Sequence, residues 1–302
     1  MEKKKITFDN GVYLGEVNDF NMPDGKGSFV YLDGSIYTGN FLAGKRNGKG
    51  KFTSFKQDCY EGDWANDVPF GVGTMTYSDG STYTGDWIDG KRNGRGRLID
   101  AEKNVYEGEF VDGFFDGNGV LTFNDGSRYK GAFYRGKYNG DGVLDYANGD
   151  RYIGNFENGI RAGKGTLLFM SGQKYEGTWV NDVPHGENCV LYLADGTKYK
   201  GSFYANTITG RGTYVFSNGY KYEGEWENGE IHGIGRYIDA DNNVIYEGES
   251  ERGHLNGMGI YYYDNGYSFM GTWENGVKNG EGIIVVSDHE KYKRTFRDNR
   301  IV

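Results

Sequence analysis

Apolar and polar positions alternate along this chain in short, recurring runs. In residues 83–96, YTGDWIDGKRNGRG, the residues Tyr83, Gly85 and Trp87 share one parity while Thr84 and Asp86 take the other. Successive side chains of a strand point to opposite faces, so this spacing predicts a strand with one aromatic and one polar face. After a Gly-x-Gly comes a second run of the same parity, as in Gly73, Met75 and Tyr77, or Gly119, Leu121 and Phe123. These second runs end in Asp-Gly or Asn-Gly, for example Asp79-Gly80, Asp125-Gly126 and Asn218-Gly219. Such dipeptides tolerate the positive φ of tight hairpin turns, so each stretch reads as a β-hairpin.

The hairpin is copied throughout. Its opening aromatic falls at Tyr13, Tyr37, Tyr60, Tyr83, Tyr106, Tyr129, Tyr152, Tyr175, Tyr199, Tyr222, Tyr246, Phe269 and Tyr292, a step of 23 residues and occasionally 24. A fixed period of this size marks a repeat architecture, in which single hairpins gain stability only by stacking on their neighbours. The expected fold is all-β: an elongated, single-layer, twisted antiparallel sheet of consecutive hairpins with an aromatic groove on one face. One array is expected over residues 1–302, with an irregular cap and first repeat at 1–36, regular repeats over 37–282 and a terminal remnant at 283–302. In that remnant Arg294 stands where the pattern has Gly, which suits a strand that closes an open sheet. The chain holds 52 glycines beside 26 tyrosines. Glycine within a strand packs nothing, so its recurrence implies rings lying across bare backbone. Repeats five apart share DVPFG at Asp67 and DVPHG at Asp182, a trace of block duplication.

Composition narrows the function. With 36% hydrophobic residues and a mean hydropathy of −0.73, the chain is too polar for a thick globular core but suits one aromatic face. The net charge of −9 argues against nucleic-acid binding. Cys59 and Cys189 cannot form a disulfide framework and read as reduced thiols, and MEKKKITFDNG has no apolar signal region; a cytoplasmic location is expected, at most peripheral to membrane or cytoskeleton. His185, His232 and His254 occupy turn positions, and His289 replaces a terminal turn residue. No His/Cys set has metal-ligand spacing, the Gly-x-Gly leads into a strand instead of a helix, and isolated Asp-Gly turns do not converge as calcium ligands. No catalytic residue, cofactor or metal is expected.

The segments YTGDWIDGKRNGRG, YEGDWANDVPFGVG and YEGEWENGEIHGIG give the chain its resemblance to MORN-repeat proteins, with about twelve copies covering nearly its whole length. The resemblance implies a sheet of consecutive hairpins curved into a groove lined by the motif aromatics. MORN arrays occur alone or as arms of lipid kinases, a lysine methyltransferase and junctophilins. They are associated with scaffolding, membrane contact, cytoskeletal roles and proposed binding to acidic phospholipids.

Two sets of side chains are candidates for contact with a partner. The first is the aromatic stripe of Tyr37, Phe41, Tyr60, Trp64, Tyr83, Trp87, Tyr106, Phe110, Tyr129, Phe133, Tyr152, Phe156, Tyr175, Trp179, Tyr199, Phe203, Tyr222 and Trp226. These rings are the core available to a single layer, yet no second layer covers them, so part of the stripe is expected to stay accessible. The second comprises two basic loops, Lys45, Arg46, Lys49 and Lys51, and Lys91, Arg92, Arg95 and Arg97. In alternate repeats they would lie about 19 Å apart along one sheet edge and attract an anionic surface. The leading reading is a non-enzymatic scaffold that binds a protein partner, as a helix or extended peptide, in the aromatic groove. A peripheral adaptor for acidic phospholipids is the alternative, and glycan binding by stacked rings comes third. Homodimer contact through the terminal repeats stays open.

Overall fold

The computed structural model describes residues 2–287 and 290–302; it contains 28 strands and, among the described residues, no helix. His289 lies outside the described residues. The strands gather into two compact bodies, residues 1–147 with 156–159 and residues 148–155 with 160–302. Within each body, strands pair antiparallel with their neighbours in sequence. In the first, Thr82–Ile88 lies between Val68–Thr76 and Lys91–Ile99. In the second, Lys198–Tyr204 lies between Gly186–Tyr192 and Thr207–Val215.

The register explains the repeat. Tyr83 stands opposite Leu98, Gly85 opposite Gly96 and Trp87 opposite Arg92, so all six positions face one side. Glycine meets glycine again at Gly62 and Gly73, Gly119 and Gly131, and Gly212 and Gly224. The tyrosine ring lies across this paired backbone. A Cβ placed on Gly131 would come 2.5 Å from Tyr129 Oη and 2.7 Å from the Asp141 carbonyl. The ring is held at its far end as well: Tyr83 Oη donates to the Asp86 carbonyl at 2.9 Å and Tyr129 Oη to that of Ala132 at 2.9 Å.

The first glycine of each Gly-x-Gly has a different task. Between Gly85 and Asp86 the register slips, and Gly94 sits in the bulge at φ 58°, a conformation that an L side chain adopts only with strain. The amide freed by the bulge, that of Arg95, donates to Asp86 Oδ2 at 2.9 Å. Asp63 receives the amide of Val72 and Glu225 that of Ile234 in the same way. The acidic residues of the polar face thus cap bulges in addition to meeting solvent.

Turn chemistry differs from the sequence expectation at one point. The turns with positive φ at both central residues lie between the first and second strands of a repeat, as at Asp89 (48°) and Gly90 (74°) or Arg135 (47°) and Gly136 (84°). At Asp79-Gly80 only the glycine is positive (82°). There the chain makes a wider turn, closed by bonds from the Tyr77 amide to the Ser81 carbonyl and from the Gly80 amide to the Tyr77 carbonyl. These wider loops are tied to one another in the first body. The Phe55 amide donates to Ser35 Oγ, Ser78 to Asp58 Oδ1, Asn124 to Asn104 Oδ1 and Ala147 to Ser127 Oγ, all at 2.8–3.1 Å.

Candidate functional site

The site is built on a ladder of edge-to-face rings. Tyr83 meets Trp87 of its own strand at 5.2 Å and Phe110 of the next repeat at 5.0 Å, both near perpendicular. Tyr175 does the same with Trp179 at 5.2 Å and Phe203 at 5.3 Å. Each such pair contributes about 0.5–1.5 kcal/mol beyond its area burial. Indole nitrogens are satisfied by strand carbonyls: Trp64 by Gly50, Trp87 by Gly73 and Trp179 by Gly165, at 3.1–3.2 Å. Trp226 Nε1 is buried with no partner among the described residues.

The expectation of an accessible stripe is corrected here. All eighteen candidate rings, from Tyr37 to Trp226, are buried, none more than 7% exposed. Burial drives their phenols upward: Tyr37 and Tyr83 are pushed up to about 12, with nearby Arg46 and Arg92 acting in the opposite sense. Cover comes from side chains whose covering role the sequence did not reveal, including the Arg46 and Arg92 placed among the basic loops. The residue facing the second aromatic of each first strand folds over the ladder. It is Arg46 opposite Phe41, Pro69 opposite Trp64, Arg92 opposite Trp87, Phe115 opposite Phe110, Tyr138 opposite Phe133, Pro184 opposite Trp179 and Ile208 opposite Phe203. Phe115 stacks on Tyr106 and Tyr138 on Tyr129, each with centroids 3.7 Å apart. The detectable signal in the sequence is the position, two residues past the paired positive-φ turn.

Arginine covers in another manner. The Arg46 guanidinium lies 4.2 Å from the Trp64 ring, donates from Nε to Asp67 Oδ1 at 3.2 Å and from Nη2 to the Asp67 carbonyl at 2.6 Å. Arg161 repeats this over Trp179, at 4.2 Å, with Asp182 at 3.0 and 2.7 Å. The two DVP segments noticed in the sequence are therefore two copies of one cation–π clamp.

The clamp also corrects the view of the basic loops as eight free cations on one edge. Arg46 is held by Asp67, and Arg92 lies over Tyr83 and Phe110 with Nη2 donating to the Gly113 carbonyl. Lys49 pairs with Asp63, Lys51 with Glu61, Lys91 with Asp112 and Arg97 with Glu107, at 2.8–3.5 Å. Lys45 and Arg95 have no acidic partner among the described residues. The register further divides the set: Arg46 and Arg92 face the aromatic side, while Lys49, Lys51, Arg95 and Arg97 alternate onto the other. Among the described residues no group of three or more His, Cys, Asp or Glu is placed to hold a metal.

In the second body the aromatic face opens into a cleft of about 570 Å³. It is lined by the apolar Leu167, Phe169, Tyr175, Trp179, Leu191, Leu193, Phe203 and Ile208 together with Arg161, Asp182, Val183 and Pro184. Two local features coincide with it. Pro184 and Ile208 stand at the position where Phe115 and Tyr138 stack in the first body, a position that Pro69 also leaves without a ring there. One extra residue also lies between Gly186, opposite Phe203, and Cys189, opposite Gly201, breaking the strand into Val183–Pro184 and Gly186–Tyr192. Cys189 takes a glycine's place under the ladder, fully buried.

The MORN repeat family matches twelve consecutive segments, 19–36, 37–59, 60–82, 83–105, 106–128, 129–151, 152–174, 175–198, 199–219, 222–244, 246–266 and 269–288. The chain belongs to the MORN-repeat family. In Plasmodium berghei (strain Anka), the inactive protein tyrosine kinase pTKL is 34% identical over 65 residues, which span 22% of this MORN chain and only 5% of that relative. Among solved structures, the MORN array is similar to the SAS-4 (dCPAP) TCP domain of Drosophila melanogaster in complex with a proline-rich motif of Ana2 (dSTIL), at 14% identity and a TM-score of 0.31, covering 67% of this chain and 90% of that one. The TCP10 domain of Danio rerio CPAP in complex with a peptide of STIL is similar at 15% identity and a TM-score of 0.29, covering 82% and 100%.

Proposed function

We propose that this MORN array is a non-enzymatic scaffold that captures a protein partner through its aromatic face, at the part of that face left uncovered. The observation that carries the reading is the cleft over Leu167, Leu191 and Ile208. Apolar surface of this kind, concave and bordered by a few fixed polar groups, is suited to take a partner's side chains. The phospholipid reading draws less support, because six of the eight basic-loop residues are engaged within the fold and the two arginines of the aromatic face are spent on rings and carbonyls. Affinity capture on the full chain from native extract, repeated with Leu191→Asp and with the exposed Lys45, Lys49, Lys91 and Arg95 all changed to Glu, tests the reading. Loss of a specific protein with Leu191→Asp alone is expected. Capture that survives Leu191→Asp but fails with the four charge changes would overturn it.

A further inference from the structure

We propose that the cleft seats the guanidinium of an arginine from the partner, a proposal that rests on the scaffold reading and names the chemistry of the partner's anchor. The fold builds such a seat for its own arginines. Arg46, Arg92 and Arg161 each lie over the opening tyrosine of their own repeat and the second aromatic of the next, that is Tyr37 and Trp64, Tyr83 and Phe110, and Tyr152 and Trp179, at 4.2–5.7 Å from the ring centroids. Each also donates from Nη2 to the carbonyl of the second turn residue that follows, at Asp67, Gly113 and Asp182, over 2.6–3.0 Å. The amide of that turn residue reaches back in turn to the carbonyl of the arginine.

The repeat that opens at Tyr175 keeps this frame without an arginine. Tyr175 and Phe203 meet edge-on at 5.3 Å, as Tyr37 and Trp64 do, and the Asn206 amide reaches back to the Pro184 carbonyl at 2.8 Å. Proline holds the arginine's position, and among the described residues no cation lies over either ring. Tyr175, Phe203 and Asn206 all line the cleft. Asn206 supplies a second, independent observation. It stands at φ 68°, where most repeats place glycine. The other side chains at this turn position, Asp67, Asp182 and Asn299, accept from the amide of the covering residue, Arg46, Arg161 and Lys278, at 2.8–2.9 Å. Pro184 has no amide hydrogen, so Asn206 Oδ1 lacks the donor its counterparts have, and no other group among the described residues bonds to it. Glycine would hold the turn as well, so the fold itself does not call for this side chain.

A guanidinium on Tyr175 and Phe203 meets both oxygens of Asn206, as Arg46 meets Asp67, giving Nη2 to the carbonyl and Nε to the side chain. Negative ring faces and two acceptors make the seat complementary to a planar cation. Its neighbours do not oppose one: Arg161 on one side is bound to Asp182, and Ile208 on the other is uncharged. At Pro69, the similar place in the first body, the turn residue is Gly90, with one oxygen fewer, and Arg92 stands where Ile208 does.

The test uses the full chain and three fluorescent peptides of one leucine-rich sequence, with arginine, lysine or citrulline at the same central position. Citrulline keeps the shape of arginine and loses its charge. Fluorescence anisotropy should show the arginine peptide bound about tenfold more tightly than either counterpart. Asn206→Gly should shrink that preference severalfold with the melting temperature kept, and Pro184→Arg should abolish it by seating a guanidinium of the chain itself. If Pro184→Arg does not fold, Asn206→Gly decides alone. Equal binding of the three peptides, or a preference unchanged in Asn206→Gly or in folded Pro184→Arg, would overturn the proposal. If no peptide binds while Leu191→Asp still loses a specific protein from native extract, the arginine seat falls and the scaffold reading stands. If the parent captures no protein either, both fall.

Discussion

The repeats that open at Tyr129 and at Tyr199 share their ladder and differ in its cover. In the first, Tyr129 crosses its glycines, meets Phe133 edge-on at 5.1 Å and is roofed by Tyr138 at 3.7 Å. In the second, Tyr199 crosses Gly201 and Gly212 and meets Phe203 at 5.5 Å, but Ile208 stands in place of the roofing ring and lines the cleft beside it. The ladder is thus the folding element, repeated because every hairpin needs it. The cover is where individual repeats are free to differ, and the cleft proposed as the binding site lies where the cover is thin.

The largest expected effect concerns what the two repeats share. Burial raises the phenols of Tyr37, Tyr83 and Tyr199 to about 12, against about 10 in an unfolded chain. The folded state then holds protons that the unfolded state releases, so this contribution is present in full below pH about 10 and is lost as pH rises toward 12. Phenolate absorbance should rise in one cooperative step with loss of the β signal in circular dichroism. Smooth titration of these rings in a chain that stays folded would show that they are not buried.

Next comes Gly131→Val. Two methyls forced between Tyr129 Oη and the Asp141 carbonyl should destabilise the first body by about 3 kcal/mol or more, read from chemical denaturation. A change within a few tenths of a kcal/mol would mean that no ring rests on that glycine.

How far the sequence foretold these features depends on the range of the interaction behind them. The parity of Tyr83, Gly85 and Trp87 reports a strand face directly, because side-chain alternation is local, and so the fold and the ladder were legible. The placement of the tightest turn was not: Asp79-Gly80 and Asp89-Gly90 are the same dipeptide, and only the pairing of Ile88 with Lys91 shows that the second closes the two-residue hairpin. Arg46 was counted among solvated charges because nothing local tells of Asp67, 21 residues on. The cleft is less legible still, since it is a difference between Ile208 and Tyr138 that matters only once both are known to lie over a ring.

A smaller effect separates two tryptophans within the second body. Trp179→Phe removes the bond to Gly165 and the stacked Arg161, and should cost roughly 1–3 kcal/mol. Trp226→Phe removes a buried indole N–H with no partner, so its penalty should be lower by about 1 kcal/mol. Equal penalties would mean that Trp226 Nε1 finds a partner in solution.

The smallest change turns one repeat into the other. Tyr138→Ile should lower stability by about 1 kcal/mol through lost stacking and open the first body's face, which an environment-sensitive apolar dye such as ANS would report as new fluorescence. No gain in dye signal would show that the cleft depends on the extra residue before Cys189 and not on the missing ring.

The bonds between neighbouring loops carry a consequence for ancestry. Phe55 to Ser35 and Ser78 to Asp58 each reach 20 residues, and Arg46 to Asp67 reaches 21. Links of this length join a hairpin to the next and go no further, so adding or excising whole multiples of 23 residues leaves every surviving link between like partners. Misaligned recombination between two such stretches yields a longer or shorter chain that still folds, whereas insertion of a single codon within a strand flips its rings to the wrong face. The extra residue before Cys189 shows how a single addition survives: it lodges at the bulge, where Asn188 takes φ 60° and the register recovers by Cys189. Genomes carrying this array should therefore vary in repeat number far more readily than in repeat length, and their odd residues should collect at bulges.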